Sequence, residues 1–133
     1  MNFTKFEQYI EEARKHEFEW GKHDCISFVN NCYLSLYNKV LVPEAVNRYT
    51  TEFGAMRALV EETGGHYDKL IDRYLEKINP KLAQKGDVVM YATNNYKNEY
   101  AVGICVGKDF CAVTSVGLKF INMNDAIYVW KTK

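Results

Sequence analysis

The hydrophobic period of this chain changes at Gly86, and that change limits the folds open to it more than any other feature. Before Gly86 the apolar residues recur every three or four positions, the spacing of a helix with one buried face. After it they fall in short runs rich in Val, Ile, Phe and Tyr, separated by Gly, Asn, Asp and Lys, the pattern of strands joined by tight turns. Helices first and a strand meander afterwards predict an α+β domain, not an alternating α/β one. Short connections, with no room for crossover helices, predict a mostly antiparallel sheet of about five strands. A length of 133 residues fits one domain spanning 1–133, with no repeat, linker or low-complexity tract to divide it.

The elements can be placed from their caps. Thr4 with Glu7 reads as a capping box opening a first helix to about His16, with Phe6, Tyr9, Ile10 and Ala13 on its apolar face. Asp24 is the expected N-cap of a second helix. Its stripe of Cys25, Phe28, Val29, Cys32 and Leu36 is wide enough to make that helix central. Thr51 opens a third helix carrying Phe53, Met56, Leu59 and Val60, and Gly64-Gly65 stops it. A fourth is expected from Tyr67 to Ile78, ended by Asn79-Pro80. The strands are expected at 87–93, 100–106, 110–114, 118–122 and 127–130, with a polar loop at 94–98 between the first two.

Composition excludes several classes. Lys plus Arg equals Asp plus Glu, so the chain has no electrostatic hold on nucleic acid. No run of eighteen apolar residues is present to span a membrane. Acidic residues come too early for a signal peptide, which predicts a cytoplasmic location, or carriage within a larger assembly. The cysteines Cys25, Cys32, Cys105 and Cys111 form no CxxC pair and the three His lack zinc-ligand spacing, so free thiols and no metal or other cofactor are expected. Glu11-Glu12 and Glu61-Glu62 read as solvated helix faces, and Arg48, Arg57 and Arg73 as salt-bridge partners in preference to an anion pocket. No glycine-rich phosphate loop is present.

The chemistry concentrates in Trp20-Gly21-Lys22-His23-Asp24-Cys25. A thiol in the first turn of a helix meets the positive end of the helix dipole, which favours thiolate and predicts a lowered pKa. The competing reading makes Cys25 the first apolar residue of the buried stripe.

The segment Phe18-Glu19-Trp20-Gly21, followed by Asp24-Cys25 and a helix with Phe28 and Val29, resembles the NlpC-type papain-like hydrolases, in which Asp-Cys-Ser-Gly-Leu-Val carries the nucleophile. Lys85-Gly86-Asp87-Val88-Val89-Met90-Tyr91 resembles their Gly-Asp-Leu-Val-Phe-Phe strand. Ala101-Val102-Gly103-Ile104-Cys105-Val106-Gly107 resembles their His-Val-Gly-Ile-Tyr-Ile-Gly strand. With Arg48-Tyr49 and Gly54-Ala55-Met56-Arg57-Ala58-Leu59, the layout also resembles a family of short uncharacterised phage and prophage proteins. The resemblance implies a papain-like fold with Cys25 at the nucleophile position. It also implies a histidine base at position 101, which here is Ala101. The family's third polar residue would fall near Thr114 or Ser115. His23 and His66 are the remaining candidate bases.

Two functions follow from the resemblance. One is a non-hydrolytic NlpC-like domain that binds a small ligand or partner protein, as a virion or tail component or as a counter-defence factor acting on the host. The other is an active cysteine peptidase or amidase with a non-standard base. In either, the cleft is expected to be walled by Trp20, Asp24, Tyr91, Tyr100 and Ala101, with Tyr96 overhanging it from its Asn-rich loop.

Overall fold

In a computed structural model the described residues are 1–93 and 99–132. Helix α1 spans Phe3–Ala13. Its cap is Asn2, whose side chain accepts from the Lys5 N–H at 3.0 Å, so the helix starts before the expected Thr4 box and leaves it unused. Helix α2 spans Cys25–Tyr37 and is capped by Asp24 as expected; it ends where Asn38 turns left-handed. Phe28, Val29 and Cys32 are fully buried, which makes α2 the central helix. Asn30 is buried among them because its amide holds the Val42 backbone on both sides, at 2.7 and 2.9 Å.

Helix α3 spans Glu52–Thr63, opened by the Thr51 side chain and closed by left-handed Gly64. Its apolar residues divide. Leu59 packs against the core, whereas Phe53, Met56 and Val60 are 75%, 62% and 59% exposed.

Helix α4 spans only Tyr67–Asp72. The expected helix to Ile78 is corrected here: after a turn at Arg73 the chain becomes strand β1, Leu75–Ile78. The reason is tertiary. The last strand, β6 (Ala126–Thr132), offers a free edge of unpaired backbone groups. Residues 75–78 satisfy it in antiparallel register, Leu75 opposite Thr132 and Ile78 opposite Val129. The sheet therefore has six strands, one more than expected. The others are β2 (Val88–Ala92), β3 (Tyr100–Cys105), β4 (Asp109–Thr114) and β5 (Gly117–Asn122). Their order is β1-β6-β2-β3-β4-β5, antiparallel throughout, so the α+β expectation holds.

Alternation along the strands gives the sheet two apolar faces. Val88, Met90, Val102, Ile104, Cys111, Val113 and Trp130 pack against the helices. Val89, Tyr91, Ala101, Cys105, Phe110, Ala112 and Val129 form a second cluster, which Ile78, Ala83, Ile121, Met123 and Ala126 help to cover. Gly103 permits the close pairing at the centre, since a Cβ there would lie 2.5 Å from the Cys111 carbonyl oxygen.

Candidate functional site around Cys25

The segment before α2 is a tight loop. Glu19 and His23 exchange two backbone hydrogen bonds, of 3.0 and 2.7 Å, across Trp20–Lys22. Gly21 makes the turn at φ +84°, and any Cβ would strike the Tyr49 carbonyl at 2.2 Å. The loop delivers Asp24, which is 1% exposed. Its Oδ1 accepts from the Ser27 N–H at 2.8 Å, and its Oδ2 accepts from the Gly21 N–H at 2.8 Å and the Tyr49 hydroxyl at 2.7 Å. One carboxylate thus caps α2, closes the loop and anchors the segment before α3.

Cys25 is the first residue of α2, as the sequence predicts, and is half-buried. Its thiol donates to the Tyr67 hydroxyl on α4 at 3.8 Å. The sulfur also meets the Val102 backbone, which puts it beside the strand bearing Ala101, and Tyr91 lies near enough to feel its charge. The expectation of a lowered pKa is overturned. Burial first, then the adjacent Asp24 carboxylate, pushes the Cys25 thiol up to about 11; hydrogen bonds from Val102, Tyr67 and Ile26 act the other way without prevailing. The first turn of α2 favours thiolate through the Ile26 backbone, but burial and the Asp24 charge outweigh it. The negative charge a Cys25 thiolate would carry, and then burial, hold the Tyr67 hydroxyl well above its ordinary value, so it is a neutral partner and not a base.

The candidate bases lie elsewhere. His23 is buried against His16, ring centroids 5.7 Å apart, and its Nε2 has no hydrogen-bond partner. His66 is exposed at the start of α4, and its backbone N–H donates to the Thr63 hydroxyl. None of the three His, all among the described residues, hydrogen-bonds to the Cys25 sulfur, whose side-chain partner is Tyr67. Thr114 stabilises the β4–β5 turn, accepting from the Val116 N–H and donating to the Gly117 carbonyl.

Of the expected cleft residues, Tyr91 and Ala101 belong to the apolar cluster against which Cys25 packs. Ala101, 9% exposed, pairs across the strands with Tyr91, whose ring packs on Phe110 at 5.0 Å. Trp20 is half-buried, edge-on to Phe18 at 4.8 Å. Tyr100 is 40% exposed. Tyr96 lies outside the described residues.

A cavity of ≈ 30 Å³ lies between α2, α3 and α4, walled by Ile26, Ala55, Ala58, Leu59 and Leu70, with Tyr49 and Tyr67 on its site side. An open groove of ≈ 390 Å³ runs between α1 and β5, past Phe6, Ile10, Lys85 and Phe120. Neither is lined by Cys25, Trp20 or Ala101.

Tyr49 and Tyr67 are the site residues that sequence reasoning missed. They reach Asp24 and Cys25 across 25 and 42 positions, and no local spacing signals such contacts.

The three arginines weighed for an anion pocket form ion pairs instead. Arg48 binds Glu61 and Glu62, Arg57 binds Glu61, and Arg73 binds Glu44 and Glu62. Burial alone would raise the Glu44 carboxyl, but hydrogen bonds from Tyr74 and Arg73 outweigh it and hold it below its ordinary value. Among the described residues no three His, Cys, Asp or Glu converge as metal ligands, and no helix is long and apolar enough to cross a membrane.

The model of a family described as a domain of unknown function, DUF6950, matches residues 3–132, so the chain belongs to that family. No curated protein matches it.

Proposed function

From the sequence resemblance and the state of Cys25, we propose that the chain is a non-hydrolytic domain of NlpC-like, papain-like ancestry that binds a small ligand or partner protein. One observation carries the reading: the Cys25 thiol faces a tyrosine hydroxyl and no imidazole, and burial keeps it protonated at neutral pH. A nucleophilic cysteine needs a base to take its proton or a lowered pKa to dispense with one. Cys25 has neither. General-base assistance is worth roughly 10² to 10⁴ in rate, and its loss removes useful turnover.

The sequence resemblance supports a phage or prophage setting. In it the domain serves as a virion or tail component, or as a counter-defence factor made in the host cytoplasm. Candidate contacts are the half-buried Trp20 and the exposed Tyr100, with Tyr96 carried from the sequence reading alone.

The test is hydrolysis of peptidoglycan fragments and simple amide substrates by the purified chain. No turnover above background is expected. Robust cleavage that disappears in Cys25→Ser would instead establish a cysteine hydrolase with an unusual base, and His23→Ala and His66→Ala would then locate that base. In a binding assay, Tyr96→Ala is expected to weaken association by more than about 1 kcal/mol, as at an interface hot spot. Cys25→Ala is expected to leave it intact. Binding that ignores Tyr96→Ala but is abolished by a charge on a face remote from Cys25 would move the working surface elsewhere.

A further inference from the structure

His23 is the one buried side chain among the described residues with a polar atom that has no partner. It is 7% exposed, and its Nε2 meets neither protein donor nor acceptor. Buried polar nitrogens are nearly always satisfied, so an exception calls for a reason. The surroundings supply one. The His23 ring lies against the end of α1, where the Ala13 backbone favours its protonated form. The His16 ring covers it edge-on at 5.7 Å. His16 is itself half-exposed, with its Nε2 3.4 Å from a Glu12 carboxylate oxygen. The charged and titratable groups facing His23 are thus His16, from the end of α1, and Asp24, from the start of α2. Asp24 is committed to Ser27, Gly21 and Tyr49.

We propose that His16 and His23 form an acid-operated latch that holds the Phe18–His23 loop, with Trp20 on it, against the end of α1 at neutral pH and releases it as the medium acidifies. The physical argument is a comparison of two protonation states. A neutral His23 leaves one orphan acceptor in the closed loop, a tolerable cost. A protonated His23 places an unpaired N–H and a full charge in the same buried position, under the edge of the His16 ring. Water relieves both problems only if the loop lifts. Burial first, and then His16, lowers the His23 pKa in the closed state, whereas the Ala13 backbone and Asp24 oppose that shift. In the open state the ring returns toward its ordinary value. The open state therefore binds more protons between the two values. Closure is complete above the ordinary histidine value of about 6.5 and is lost as pH falls from there toward the closed-state value. The latch is independent of whether Cys25 cuts or binds.

The two tryptophans make the test internal. Trp20 rides on the loop, whereas the Trp130 indole donates to Asp72 at 2.7 Å from the sheet core. NMR spectra of the full chain between pH 7.5 and 5 should show the Trp20 indole and the residue 18–24 amides moving together, with a midpoint below about 6.5. The Trp130 indole should stay in place. Exchange protection of the His23 amide, bonded to the Glu19 carbonyl at 2.7 Å, should fall by up to about tenfold per pH unit for one linked proton. His16→Gln should shrink the response by removing the imidazole that covers His23 and helps to lower its pKa, and His23→Gln should abolish it. Three results would overturn the latch: a wild-type loop that does not titrate, a titration that persists in His23→Gln, or Trp130 moving in step with Trp20. If His23→Gln fails to fold, following the His23 ring itself in the wild type decides the matter. A ring titrating at its ordinary value with a static loop refutes the proposal.

Discussion

Alkylation of Cys25 should be slow, selective and steeply pH-dependent. Raising its pKa from 9.0 to about 11 cuts the thiolate fraction by about 100-fold at any pH below 9. A more basic thiolate is intrinsically more nucleophilic, and a Brønsted slope of about 0.5 recovers roughly tenfold of that. The net expectation is a rate about tenfold below that of an exposed thiol at neutral pH. Cys25 should nevertheless react first of the four, because Cys32, Cys105 and Cys111 are all 0% exposed. The assay is iodoacetamide labelling between pH 7 and 10, with each cysteine quantified by peptide mass spectrometry. The logarithm of the Cys25 rate should climb with a slope near one and reach no plateau below pH 10. Tyr67→Phe, which removes a hydrogen bond that favours thiolate, should slow the reaction further at fixed pH. Asp24→Asn removes the nearest raising charge but also alters the α2 cap, so its sign is informative only if the helix remains formed. A Cys25 rate that saturates near pH 7, or labelling of Cys32 or Cys105 ahead of Cys25, would refute the picture of a protonated thiol walled in by Tyr67 and Val102.

Three further outcomes are expected. Asn30→Ala strips two hydrogen bonds from the buried Val42 backbone and should destabilise the fold by roughly 2–4 kcal/mol in urea titration. Gly103→Ala forces a Cβ to within 2.5 Å of the Cys111 carbonyl and should separate β3 from β4 at a cost of about 1–3 kcal/mol, visible as a lowered Tm. Arg73→Ala removes ion pairs to Glu44 and Glu62 on a solvated surface, so it should lower Tm only slightly, and less still in high salt.

The sequence carries its clearest information where local and global preferences agree. The five strands from Val88 onward were legible because their alternation reports burial directly and the turns between them use Gly, Asn and Asp. The Asp24 cap was legible because a short acceptor just ahead of an apolar stripe has few other uses. The residues of β1 were misread as helix because Leu75 and Ile78 also stand at helical spacing behind Leu70 and Ile71. What decides their state is the free edge of β6, more than fifty positions away. The α3 row failed differently. Phe53, Met56 and Val60 have the period of a buried face, but α3 turns Ala55, Ala58 and Leu59 inward and leaves the bulkier row in solvent. Periodicity shows that a helix has an apolar face, not that anything covers it.

Asp24 connects the fold to the state of the thiol. A carboxylate next to a catalytic cysteine has two incompatible uses. Left free in the site, it can orient a cationic base; used as a cap, it becomes part of the scaffold. Here all its hydrogen bonds go to the scaffold, two to backbone N–H groups and one to the Tyr49 hydroxyl. That arrangement fixes the loop before α2, the start of α2 and the approach to α3 around one buried charge. The same charge, held beside Cys25, whose sulfur no imidazole hydrogen-bonds, disfavours a second negative charge on sulfur. The interactions that build the loop therefore also keep the thiol neutral. Placing a histidine at position 101 would supply the missing base but would leave the Asp24 repulsion in place. A single Ala101→His change should thus lower the Cys25 pKa without producing an efficient hydrolase, as read from the pH profile of alkylation alongside an amidase assay. Efficient turnover from that one substitution would show that Asp24 does not restrain the thiol.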